Sequence, residues 1–186
     1  MGYGGLRLMP STPVYLRILF RDAIDSCLSM EGVNSKPVTD HIAEGLFRGI
    51  RSEGFFYIAE GRRLETPAEM MEFAGSLHQM GDAGEEFNAL VGMGDYTLFL
   101  LGMFPRSRHV VNIGPVLYSD YGRYCYRRAG EIDADVFGHS GERFEALADF
   151  FPSSVRAVRR MMAGELKRAD ESMLSWVPLV MELGLP

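Results

Sequence analysis

Apolar residues recur along most of this chain at spacings of three and four, the repeat of helices that each bury one face. Val14, Ile18, Leu19, Ala23, Ile24, Cys27 and Leu28 form the first stripe. Thr12-Pro13 ahead of it offers an N-cap and a proline at the first helical position, and Gly32 and Asn34 follow its end near Met30. Ser35-Lys36-Pro37 opens a second helix, whose stripe is Val38, Ile42, Ala43, Leu46, Phe47 and Ile50 and whose stop is Gly54. Thr66-Pro67-Ala68-Glu69 carries the cap, the proline and the acid of a capping box. The helix behind it turns Met70, Met71, Ala74, Leu77 and Met80 inward, up to the break at Gly81. One helix then runs from about Glu85 to Phe104, ended by Pro105, and another from about Pro115 to Ala129.

From Gly130 to Gly141 the acidic stretch reads as a loop. Ser140 caps a helix over 141–151, Pro152-Ser153-Ser154 starts one reaching about Arg168, and Asp170 caps a last one kinked at Pro178. Phe55 to Ala59 is the one strand-like stretch. With the Glu60-Gly61 turn it makes a small β-hairpin near 55–65, or else a helical extension. The sum is an all-α, single-domain bundle of about eight helices over residues 13–186, preceded by a loose, flexible arm at 1–12 rich in Gly and Pro.

Composition narrows the class without choosing a function. The 186 residues are 47% hydrophobic and 24% charged, an ordinary globular balance for one core. The net charge of −6 argues against a general nucleic-acid binder. Lys occurs only at Lys36 and Lys167, the Arg bias of a GC-rich bacterial genome. Two cysteines, Cys27 and Cys125, lie in apolar helical patterns, with no CxxC and no secretory start, which points to the cytoplasm. The longest apolar run, Ala89 to Phe104, is too short for a bilayer and contains Asp95, so no membrane segment is expected.

Asp95 is the chain's most conspicuous polar residue, because it interrupts a pattern that is apolar nearly all round. A carboxylate in such a place needs hydrogen-bond donors. Gly92, Asp95, Phe99 and Gly102 share one line of the helix, where the two glycines allow a neighbouring helix close. The next helix carries Tyr118, Tyr121, Arg123, Tyr124 and Tyr126. The expectation is a buried polar network, or a pocket, between these two helices, built from Asp95, Tyr96, Tyr118, Tyr121, Arg123 and Tyr126 and packed through Gly92 and Gly102. A structural role for Asp95 outweighs a role as general base or ligand anchor.

Met93 to Pro105 and Tyr118 to Tyr126 together resemble a group of uncharacterised bacterial helical proteins. The group's pattern is Leu-Gly-Asp-x-x-Leu-Phe-x-x-Gly-x-Phe, then Tyr-Tyr-x-x-x-Gly-x-x-Ala-Tyr. Gly94, Asp95, Leu98, Phe99, Gly102 and Phe104 match the first part. Tyr121, Gly122 and Tyr126 match the second approximately, with Asp120 in place of the first Tyr and Cys125 in place of Ala. The resemblance implies no activity.

Familiar catalytic signatures do not occur. There is no P-loop, no dinucleotide glycine motif and no nucleophile elbow. His41, His78, His109 and His139 form no metal-ligand pair, and His41-x-x-Glu44 reverses the order of helical di-iron sites, so neither metal nor cofactor is expected. His109 reads as solvent-facing in a loop, and Arg156, Arg159, Arg160, Lys167 and Arg168 as a solvated basic face. Twelve methionines read as flexible core filler. The C-terminal Met173, Leu174, Trp176, Val177, Leu179, Val180 and Leu183 could form a subunit interface. The leading functional reading is therefore a non-enzymatic protein that acts by association, as a homodimer or with a protein partner. The alternative is a small-molecule binder or enzyme with its pocket between the helices 85–104 and 115–129.

Overall fold

The structure, a computed structural model, describes residues 12–51, 57–59 and 61–165. The arm at 1–11, Gly54 to Phe56 and the apolar C-terminal segment lie outside the described residues, and the expectations placed on them stay open. Eight α-helices are present among the described residues: α1 (Thr12–Met30), α2 (Lys36–Arg51), α3 (Pro67–Met80), α4 (Ala83–Met103), α5 (Arg108–Ile113), α6 (Pro115–Asp135), α7 (Glu142–Asp149) and α8 (Phe151–Arg160). A π-helical turn, Met161–Glu165, ends α8. Strands β1 (Tyr57–Ala59) and β2 (Arg62–Leu64) pair antiparallel with Ile58 opposite Arg63. The chain is an all-α bundle with one small hairpin.

Local chemistry sets several of the boundaries. Thr66 accepts from the Glu69 backbone N–H while the Glu69 carboxylate accepts from Thr66 N–H, a reciprocal cap for α3. Asp82 caps α4 through Glu85 N–H, and Ser107 caps α5 through Val110 N–H. α5 replaces the exposed loop expected around His109, whose ring reaches Glu65 at 3.4 Å. α6 runs six residues past Ala129, because Ala129, Ile132 and Asp133 continue its buried face. The turn then closes where His139 donates to Asp133, from backbone N–H to backbone oxygen and from Nδ1 to Oδ1. Gly141, not Ser140, caps α7. It has φ +68°, and a Cβ there would lie 2.7 Å from the Gly130 carbonyl oxygen.

α4 is the axle of the bundle, packing on α6, α8, α3 and α2, while α1 lies on α2 and α8. Its near-uniform apolar circumference has that consequence: Leu90, Met93, Leu98, Phe99, Leu100 and Leu101 are all buried. Glycine sets the spacing. A Cβ at Gly94 would lie 2.8 Å from the Tyr126 ring, one at Gly102 2.6 Å from Val158, and one at Gly122 2.4 Å from both Phe151 and Thr97 Oγ1. Met70, Ala74 and Leu77 face the core as their spacing implies, but Met71 and Met80 are exposed, since the apolar stripe of α3 is narrower than its sequence suggests. Cys27 and Cys125 are buried and not joined in a disulfide.

The basic face of α8 is engaged rather than simply solvated. Arg156 and Arg160 both grip Glu31 at the end of α1, at 2.6 and 3.0 Å, and Arg159 donates to the Leu101 carbonyl. Lys167 and Arg168 lie outside the described residues.

Candidate functional site

Asp95 stands at the point where α4 meets α2, and its carboxylate gathers three donors. His41 Nε2 lies 2.6 Å and the Tyr126 hydroxyl 2.7 Å from Oδ1, while Arg48 Nη2 lies 3.1 Å from Oδ2. The three donors come from α2, α6 and α2 again. Spacing explains the pair from α2: His41 and Arg48 are seven residues apart, two turns along one face, with Gly45 between them. Gly45 lets α2 approach, since a Cβ there would lie 2.8 Å from the Phe99 ring. Phe99 is one turn beyond Asp95 on α4, so one helix crossing seats both contacts.

Burial alone would raise the pKa of Asp95. The His41 charge, the hydrogen bonds from His41 and Tyr126 and the Arg48 guanidinium outweigh it, and the carboxyl sits below its ordinary range. Asp95 is therefore ionised at neutral pH and accepts only. Tyr126 must donate its proton, and burial followed by the Asp95 charge holds that phenol well above its usual value. Nε2 of His41 must carry a hydrogen too. Nδ1 has no hydrogen-bond partner among the described residues. An aromatic enclosure holds the ring: Tyr126 and Phe144 meet it edge-on at 5.7 and 5.9 Å.

His41 and Arg48 also form part of the wall of a cleft of about 580 Å³ between α2, α4 and α7. Phe87 and Val91 of α4 and Phe144 of α7 supply its apolar side. Lys36 and Arg143 stand at its rim, in the first turns of α2 and α7, so two helix N-termini border it. The two acids on the wall are matched elsewhere: Asp40 by Arg21 and Lys36, Glu44 by Arg17. Arg143 lies over the Phe144 ring at 4.3 Å and makes no salt bridge among the described residues.

Of the residues singled out between helices 85–104 and 115–129, Asp95 and Tyr126 meet in this cluster. Tyr118 donates to the Glu65 carbonyl at 2.8 Å, Tyr121 contacts Met93 sulfur at 3.4 Å, and Arg123 donates to the Ala148 carbonyl at 3.3 Å. Tyr96 is buried without joining the cluster, its phenol pushed up to about 12 by burial. Gly102 lies against α8, and Gly92 is half-buried. Where α4 and α6 meet, Gly94 packs on Tyr126 and Gly122 on Thr97. The cleft between α2, α4 and α7 is reached through His41 and Arg48, the α2 partners of Asp95.

His41 and Arg48 escaped the sequence reading. Their signal was the stripe Val38, His41, Ile42, Gly45, in which a histidine occupies a core-facing position. A second hollow, about 390 Å³ between α3, α4 and α6, surrounds the nearly buried Glu86, which Arg128 and His78 hold at 3.1 Å each. Among the described residues no three His, Cys, Asp or Glu side chains gather as a metal site requires, and no helix is long and apolar enough to cross a membrane.

Comparison with known proteins finds no matching family model, no matching curated protein and no matching solved structure. The resemblance carried by Met93–Pro105 and Tyr118–Tyr126 rests on those residues alone. Several of its positions make close contacts in the bundle: Gly94 on Tyr126, Gly102 on Val158, Gly122 on Phe151 and Asp95 under the Tyr126 hydroxyl.

Proposed function

We propose that this protein binds a small anionic molecule with an apolar body in the cleft between α2, α4 and α7. The observation that carries the reading is Arg143, a guanidinium on the cleft rim with no acidic partner among the described residues. The other wall charges are already balanced, so Arg143 is the cation left for a ligand. Phe87, Val91 and Phe144 would cover the apolar part, and the helix N-termini of α2 and α7 favour negative charge in the same space. His41 stands where it can exchange a proton or a hydrogen bond with that ligand. The reading is one of binding, and no reaction is assigned.

Thermal shift and calorimetric titration with phosphate, sulfate and phenylacetate test it. Anion at one hundred times its Kd should add about 2.7 kcal/mol of stability. Arg143→Ala should weaken binding at least about tenfold, as loss of a charge-assisted contact does. No stabilisation by any of the three at millimolar concentration, or equal stabilisation of Arg143→Ala, contradicts the proposal.

Association is the second reading, favoured by the exposure of Val111, Val116 and Leu117 around the α5–α6 junction. Light scattering tests it: a homodimer that Leu117→Glu dissociates supports it, and a strict monomer ends it.

A further inference from the structure

Glu86 stands on the wall of a different hollow, with an acceptor surplus that its neighbours leave unfilled. We infer that the hollow between α3, α4 and α6 binds an organic monocation with an apolar body, an arylalkyl amine in the simplest case, with Glu86 as the counter-ion. The inference does not rest on the anion-binding reading, because the hollow and the cleft share no lining residue.

The argument starts with burial. Glu86 lies in the first turn of α4, one turn before the buried Leu90, and is itself only 6% exposed. A carboxylate so withdrawn from water needs partners. Oε1 accepts from Arg128 Nε at 3.1 Å, and Oε2 lies 3.1 Å from His78 Nδ1. A carboxylate offers about four acceptor sites, and the side chain has no third partner among the described residues. Arg128 does not belong to Glu86 alone. Its Nη1 donates to Glu131 Oε2 at 3.0 Å, so one guanidinium serves two carboxylates. Apart from any proton on His78, the charges of this network sum to one negative, and an incoming ammonium would balance it.

The rest of the lining suits an apolar body. Ala74 and Leu90 are buried, whereas Met71 of α3 and Tyr124 of α6 stand 56% and 52% exposed. Covering those two large side chains would withdraw apolar surface from water. A tyrosine ring attracts a cation, and a methionine adapts to the shape of what it covers. Gly75 adds room on the same lining: a Cβ there would meet nothing within 4 Å. A hollow of about 390 Å³ is at the small end for ligand sites and fits one ring with a short tail.

Calorimetric titration of the full chain with phenethylamine and with phenethyl alcohol tests the proposal. The two probes have nearly one shape and differ in charge. At pH 8 the amine is protonated, while ordinary histidines carry no charge. The amine is expected to bind at least about tenfold more tightly than the alcohol. Glu86→Gln keeps the side-chain shape and should bring that ratio close to one. Gly75→Leu places a helix-favouring side chain in the open space and should weaken both probes at least about tenfold, which keeps the proposal testable if Glu86→Gln does not fold. Equal affinities for amine and alcohol overturn the proposal, as does the absence of amine binding at millimolar concentration. Amine binding indifferent to Gly75→Leu, or a preference that persists in folded Glu86→Gln, overturns it too. None of these failures touches the anion-binding reading, which Arg143→Ala decides with phosphate, sulfate and phenylacetate.

Discussion

At the scale of the residue, two oxygens of Asp95 satisfy donors from His41, Tyr126 and Arg48, and each substitution there has its own signature. Asp95→Leu strands the His41 N–H and the Tyr126 hydroxyl under the cleft and should lower stability by about 3 kcal/mol in urea unfolding. Tyr126→Phe removes one charge-assisted hydrogen bond and no packing, and should cost about 2 kcal/mol. If both variants unfold at the wild-type midpoint, the cluster is not satisfied as described. Ser154 is the opposite case. Its hydroxyl is fully buried and finds no partner among the described residues, so Ser154→Ala should leave stability unchanged or raise it. What could be read of the site from sequence also divides by residue. Asp95 stood out because a carboxylate interrupted an apolar helix, and the Tyr-rich helix supplied Tyr126. Its strongest partner, His41, comes from 54 residues away, and sequence spacing shows which residues share a helix face but not which two faces meet.

At the scale of the element, helix starts signalled by caps and prolines fell where those signals put them: α1, α2, α3 and α4 all begin within two residues of their expected bounds, and α1, α3 and α4 end so too. α6 overran because the acidic residues after Ala129 looked like a loop, although Ile132 and Asp133 keep the helical repeat. α5 was missed because six residues are too few for periodicity to register. Helix packing depends on the glycines. Gly122→Ala would drive a methyl to within 2.4 Å of Phe151 and Thr97, and overpacking of that kind should cost about 1–3 kcal/mol and move the α4, α6 and α8 contacts together. Gly75, whose Cβ position meets nothing within 4 Å, is the control: Gly75→Ala in mid-α3 should stabilise by up to about 1 kcal/mol. Equal effects from the two substitutions would contradict the packing described.

At the scale of the molecule, one apolar core joins α1 to α8 and two acids fasten its periphery. Glu31 is held below its ordinary range by hydrogen bonds from Arg156 and Arg160, and Asp95 by His41, Tyr126 and Arg48 acting against burial. For a carboxyl lowered in the folded state, the stability it contributes is present above its unfolded value, about 4, and disappears as pH falls through the folded one. Thermal unfolding should therefore lose temperature steeply below about pH 4, and Glu31→Gln or Asp95→Asn should flatten that slope. Tyr126 has the reverse sign: its raised phenol contributes below about pH 10 and ceases to as pH rises beyond. Cys125, pushed up to about 12 by burial, should resist thiol reagents until the bundle opens. The all-α class was legible in the repeat of apolar positions. The cleft was not, because its walls are assembled from three helices far apart in the chain.

The central claim is that ionised Asp95 fixes His41 on the cleft wall by accepting a hydrogen bond from Nε2. Long-range proton–nitrogen correlation of the histidine rings at pH 8 reads this directly. The account predicts a His41 ring with its hydrogen on Nε2, whose signals move when phosphate is added and change in Asp95→Asn. A neutral ring carrying its hydrogen on Nδ1, or a His41 signal indifferent to both phosphate and the substitution, would contradict it.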